Sequence, residues 1–181
     1  FDVVYMLTSL SVYPLYFLYI RLLTVVKKLG SQDFIHLIPA VIFSLLCGLL
    51  YLLMTPKERI EYTNQILFKG NPYFEVTGLL DAQKWLYYSS RLVFTFQVIF
   101  YLIWGSKLVV KYNNRVANFY SNLESKTIVW VNLLLISFVA TSLISIIFNI
   151  IGKVNFFDST LLLLIPSVTF SFLLFLIGTQ G

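Results

Sequence analysis

The stretch HLIPAVIFSLLCGLLYLLMT, residues 36–55, decides the fold class. It carries no Asp, Glu, Lys or Arg. Its length reaches the roughly 18 apolar residues that a helix needs to cross a hydrocarbon layer. A helix bonds its own backbone polar groups, which no isolated strand does in lipid. The same criterion selects 3–26, 92–110, 127–151 and 160–178. Arg21 lies in the first of these, so its apolar part is expected to stop near Ile20. The expected fold is all-α: a polytopic transmembrane helical bundle of five spans forming one domain over 1–181, with 56–91 as its largest loop.

Composition agrees. The chain is 59% apolar and 12% charged, with mean hydropathy +0.84, whereas soluble domains are about a quarter charged. Its 17 Phe, 12 Tyr and 3 Trp suit helices whose ends rest among headgroups. The net charge is +5, but 13 basic residues in 181 are too few for a nucleic-acid surface. Cys47 is the only cysteine, which excludes a disulfide within the chain. The first span has no basic leader and no small-residue cleavage site, so a signal peptide is not expected.

Five crossings place the two ends of the chain on opposite sides. The side reached after the first span holds seven basic residues, Arg21, Lys27, Lys28, Lys107, Lys111, Arg115 and Lys126, against Asp33 and Glu124. The other side holds six of each sign. Lys and Arg density in the short loops places the basic side, and with it the C-terminus, in the cytoplasm.

Within the spans no acidic or basic side chain lies near the middle, which argues against a proton-coupled transporter, a pump or a voltage-gated channel. The spans carry hydroxyls, amides and small residues at helical spacing instead. Ser137, Thr141, Ser145 and Asn149 follow one another every four residues, with Ser142 beside them. Ala40, Ser44 and Gly48 repeat that interval in the second span, and Ser167 and Ser171 in the fifth, with Gly178 a heptad later. Such stripes let helices approach closely and hydrogen-bond across the contact; a shared polar cavity for a small ligand is the alternative. Tyr5, Ser9, Tyr13, Tyr16 and Tyr19 fall within about 120° on a helical wheel. They could wall a pocket or pack by bonding neighbouring hydroxyls. Pro14 and Pro166 each remove a backbone donor within a span and predict kinks unless neighbours compensate. Gln97, Tyr101 and Trp104 share a face, and the Gln97 amide needs a partner in hydrocarbon.

His36 has no second histidine, cysteine or carboxylate at ligand spacing, so no metal site is expected and the ring reads as interfacial. No serine has a base near it in sequence, and no phosphate loop or intramembrane carboxylate pair is seen. Nothing points to an enzyme or to a cofactor. In the loop, Gly70-Asn71-Pro72 reads as a turn. Asp81 is the expected N-cap of a helix running through Trp85, Tyr87 and Tyr88 into the third span. Ile60, Leu67 and Phe68 would rest on the membrane surface. Ser121 and Glu124 fit S-x-x-E, a capping box that would start the fourth helix in water, with Trp130 near the headgroups.

Three stretches, YPLYFLYIRLLT (13–24), DFIHLIPAVIF (33–43) and NFYSNLESKTIVWVNLLL (118–135), resemble the membrane region of Bacteroidota-type regulators. Those proteins have seven-helix membrane domains followed by a cytoplasmic AraC-type helix-turn-helix, and related domains feed histidine kinases or LytTR-type effectors. Pro14, Tyr16, Tyr19 and Arg21 carry the first match, His36 and Pro39 the second, and Ser121, Leu123, Glu124 and Trp130 the third. The resemblance implies that these are the last five of seven spans, with two helices before Phe1 and an effector after Gly181. The Phe1 start and LIGTQG at 176–181, following an apolar run, fit that expectation. It further implies a sensory input domain in a bacterial inner membrane, coupled to its effector through Ser121, Glu124 and Trp130. DNA would be reached only through the C-terminal domain outside this chain. No ligand or catalytic residue carries over. Expected partners are the bilayer, other membrane helices including a second copy as a homodimer, and a small-molecule or protein signal. The alternative is a non-catalytic helical subunit of a larger inner-membrane complex.

Overall fold

The computed structural model describes residues 1–25, 30–69, 77–119 and 126–151, with 164, 167–169, 171–172, 175 and 178–179 beyond them. Every described element is helical. The elements are α1 (Asp2–Thr24), a 3₁₀ segment (Ser31–Leu37) leading into α2 (Ile38–Leu53), α3 (Pro56–Tyr62) running into a π-helical turn (Thr63–Phe68), α4 (Leu79–Phe119) and α5 (Lys126–Ile151). Among the described residues three helical stretches are long and apolar enough to cross a membrane: Asp2–Thr24, Ser31–Leu53 and Leu79–Asn118. In α5 the apolar stretch is Leu135–Ile150. The span expected at 160–178 lies largely outside the described residues.

Side-chain contacts give the direction of each helix. Cys47 and Tyr51 meet Asp2 at one end, and Arg21 pairs with Asp33 at the other, so α2 is antiparallel to α1. Tyr13 meets Phe94 while Phe17 meets Tyr101 and Trp104, so α4 runs parallel to α1. Arg91 bonds the Asn149 carbonyl and Asn113 bonds Asn132, so α5 is antiparallel to α4. Helices in this alternating order need only short connections at the ends, as up-and-down bundles do. Of the most apolar window in each, 44% of α1 is buried, against 17% of the second stretch and 22% of α4, which makes α1 the central helix. Leu52 and Phe96 are 78% and 72% exposed, large apolar side chains on the outside of the bundle that suit hydrocarbon or another apolar surface.

Several boundaries differ from the expectation. The span expected at 92–110, with a helix from Asp81 leading into it, lies within the 41 residues of α4, about 60 Å at 1.5 Å per residue and twice the hydrocarbon thickness. Much of the loop expected over 56–91 is therefore helical. Asp81 lies inside the first turn and does not cap it. Gly78, at φ 68°, precedes the helix and its carbonyl accepts from Ala82 N–H at 3.2 Å. The second membrane helix ends at Leu53, because Thr55 opens α3. α1 continues through Pro14. The turn expected at 70–72 and the capping box at Ser121 and Glu124 lie outside the described residues, as do Pro166 and the Trp130 side chain.

Among the described residues two buried clusters form the core. One joins α1, α4 and α5 through Tyr13, Tyr16, Phe17, Val98, Tyr101 and Phe138. The other joins α1, α2, α3, the π-helical turn and α4 through Met6, Cys47, Tyr62, Ile66, Leu80 and Tyr87.

Candidate functional site

The polar side chains predicted to share one cavity divide by depth. Halfway along the bundle, Tyr13 donates to the Thr141 carbonyl at 3.4 Å, and its phenol faces the hydroxyls of Ser142 and Ser145. Thr141 in turn donates to the carbonyls of Ser137 and Phe138, both at 3.0 Å. Tyr16 stacks on Phe138 with centroids 4.1 Å apart. These are contacts that long aromatic side chains of α1 make with α5, whose backbone lies closer to α4 than to α1. Ala40 and Ser44 are likewise buried, and a Cβ on Gly48 would find Val3 at 3.8 Å.

Two predicted residues depart from that seam. Gln97 is buried, but neither amide atom has a hydrogen-bond partner among the described residues, so the expected interhelical bond is not formed. Tyr101 turns toward the Arg21 end, where its hydroxyl meets His36 Nδ1 at 3.0 Å. His36 stands edge-on to Phe17 and Trp104 as well, a half-buried ring at this end of the bundle. Asp33 closes this end: it pairs with Arg21 and accepts from Gly30 N–H at 2.8 Å. Asn149 contributes its backbone carbonyl to Arg91; its side chain is half-buried.

The densest buried polar cluster lies at the Asp2 end and draws on four elements. Asp2 opens α1 and is 8% exposed. Its carboxylate accepts from Tyr51 Oη at 3.3 Å and from Cys47 Sγ at 3.9 Å, both on α2. Gln83 of α4 is fully buried and donates through Nε2 to Cys47 Sγ at 3.1 Å, leaving Oε1 without a partner. Tyr62 of α3 is fully buried with its ring edge-on to Tyr51, and its hydroxyl is also without a partner. Burial, with the Asp2 charge adding to it, holds the Tyr62 phenol well above its ordinary titration range, so it stays a donor. Arg91 sits over the Tyr87 ring, 5.8 Å from its centroid, one turn deeper on α4. Each orphaned buried atom costs about 1–3 kcal/mol. An arrangement that keeps two of them beside a carboxylate retains hydrogen-bonding capacity that a polar guest can use.

What brings Tyr62 there is the start of α3. Thr55 Oγ1 accepts from Glu58 N–H at 3.4 Å, and Glu58 reaches back to the Thr55 N–H at 2.7 Å, with Pro56 at the first helical position. This reciprocal cap fixes the entry angle of the chain, and seven residues after Thr55 the helix delivers Tyr62 into the core. TPKE at 55–58 has the same S/T-x-x-E form as the pattern noted at 121–124, so the signal was present in the sequence. Asp2 had no such signal; one carboxylate beside the chain start reads as a surface charge. Compared with known protein families, curated proteins and solved structures, the chain matches none.

Proposed function

We propose that this chain is the membrane-embedded input domain of a one-component transcription regulator. It crosses a bacterial cytoplasmic membrane five times with the Asp2 end outside. It passes a signal to a cytoplasmic helix-turn-helix domain carried outside this chain. The observation that supports the reading is the polar core at the Asp2 end, where Tyr62 Oη and Gln83 Oε1 are buried and unpartnered beside Asp2. A small polar ligand, or a protein that draws α3 outward, would favour one arrangement of these groups over another, and that difference in affinity is what shifts a population. α1 and α4 both run from this cluster to the His36–Tyr101 contact at the far end, so a movement of either helix is felt there.

The test uses the full-length protein in its host with a reporter on a promoter it controls. Tyr62→Phe and Gln83→Leu should each change output or its signal dependence at unchanged membrane level. Output that tracks protein level alone would sink the sensor reading. The exposed apolar face of α2 at Leu45, Leu49 and Leu52 favours the second reading, a non-catalytic subunit of a larger membrane complex. That reading expects companions co-purifying in fixed ratio and no helix-turn-helix domain in the intact protein mass.

A further inference from the structure

One face of α4 changes character within a single turn. Phe96, Phe100, Ile103 and Trp104 are all exposed, and Lys107, Lys111 and Arg115 continue the same face. All seven lie within an arc of about 120° at 100° per residue. A shallow groove is lined by Phe100, Ile103, Trp104 and Lys107. Trp104 is held in place by stacking on Phe17 at 4.8 Å and by the edge of Phe100 at 5.1 Å. Among the described residues Lys107, Lys111 and Arg115 make no ion pair, whereas Arg21, near the same end, is neutralised by Asp33.

We propose that this groove is a binding site for one anionic phospholipid. An acyl chain lies along Phe100 and Ile103, the indole of Trp104 sits at the level of the glycerol, and the phosphate meets the ammonium groups of Lys107 and Lys111. The occupant follows from the two halves of the face. An apolar partner helix would leave the lysines in hydrocarbon or unmatched. A soluble acidic partner would not cover Phe96 and Phe100. A second copy related by a two-fold axis would set one cationic stripe against another. Only an amphiphile with an apolar tail and an anionic head matches both halves, and a basic residue near an anionic membrane surface gains about 1 kcal/mol. The site requires a membrane-crossing α4 and is independent of the regulator reading.

The experiment isolates Trp104 by Trp85→Phe and Trp130→Phe and places the protein in vesicles of brominated phosphatidylcholine or brominated phosphatidylglycerol. Phosphatidylglycerol should quench Trp104 with a relative binding constant about fivefold or more above phosphatidylcholine. Lys107→Gln with Lys111→Gln should bring the ratio near one. Lys57→Gln with Lys84→Gln, at the other end of the bundle, should leave it unchanged. A ratio near one in the parent overturns the site. So does an equal loss from the Lys57 and Lys84 pair, which would mean diffuse surface charge. Displacement by inorganic phosphate alone would show an ion site without a lipid and also overturns it. Native mass spectrometry of the otherwise unaltered protein with and without the Lys107 and Lys111 changes gives the same comparison through retained lipid adducts, should the tryptophan variants fail to fold.

Discussion

Tyr62 and Gln83 carry buried polar atoms with no partner, and that makes them opposite in kind to most buried polar groups, which are bonded. Removing an orphan removes its desolvation cost. Tyr62→Phe is therefore expected to leave stability unchanged or to raise it by about 1 kcal/mol, measured by reversible unfolding in mixed micelles. A loss of more than about 2 kcal/mol would instead show a bond to a water or ligand at that hydroxyl. The Thr55–Glu58 cap makes a second prediction at this scale, one that depends on pH. The Thr55 backbone N–H, and then its hydroxyl, hold the Glu58 carboxyl below the ordinary carboxylate range. A depressed folded-state value means that the cap's contribution is present above the unfolded value and is lost as pH falls through the folded one. Amide protection factors across 56–62 should accordingly fall between about pH 6 and about pH 3 in the native chain, and stay nearly flat in Glu58→Gln. Equal pH dependence in both would assign the change to another group.

At the scale of elements, α4 and α5 are tied at both ends, by Arg91 to the Asn149 carbonyl and by Asn113 Nδ2 to Asn132 Oδ1 at 2.6 Å. Interhelical hydrogen bonds of this kind average about 0.6 kcal/mol in membranes. A double-mutant cycle on Asn113→Ala and Asn132→Ala should return a coupling near that value, and zero coupling would remove the pair as a tie. Between those ends α4 passes α1 and α5 at Gly105, where an added Cβ would find Ile20 Cδ1 at 3.6 Å and Phe138 Cε1 at 3.7 Å. Those are ordinary van der Waals distances, so Gly105→Ala should be neutral or slightly stabilising. Gly105→Leu should cost about 1–3 kcal/mol by overpacking. Helix existence was legible in the sequence because apolar run length has one physical solution in lipid, as 36–55 shows. Partner choice was not. A wheel places Gln97 and Tyr101 on one face, yet four residues along a helix is about 6 Å of depth, and there Tyr101 meets His36 while the Gln97 amide has no hydrogen-bond partner among the described residues. The Asp2 cluster was invisible for the same reason: its members come from residues 2, 47, 51, 62 and 83, and no periodicity links them.

For the whole molecule the open quantity is the number of crossings, and the arrangement of helices makes it measurable. The Asp2–Cys47–Tyr62 end and the Arg21–Asp33–His36 end are separated by the lengths of α1 and α2, so a bilayer crossed by these helices would have them on opposite faces. Residues 57 and 111 would then face opposite compartments, since Lys57 lies in the first turn of α3 at the first end and Lys111 lies beyond the Trp104 level at the second. In a Cys47→Ser background, Lys57→Cys and Lys111→Cys should react with a membrane-impermeant maleimide from opposite sides of oriented vesicles. The five-span reading adds that Lys153→Cys reacts with the Lys57→Cys side and Gln180→Cys with the Lys111→Cys side, both positions being outside the described residues. The Lys111→Cys side should be the cytoplasmic one, because the basic residues concentrate there in short loops. Labelling of Lys153→Cys and Gln180→Cys from the same side would leave four crossings and place a C-terminal effector outside the cell. A helix-turn-helix domain has no DNA to bind in that compartment, so this one result would refute the regulator reading while leaving the helical bundle, its polar core and the α4 lipid groove intact.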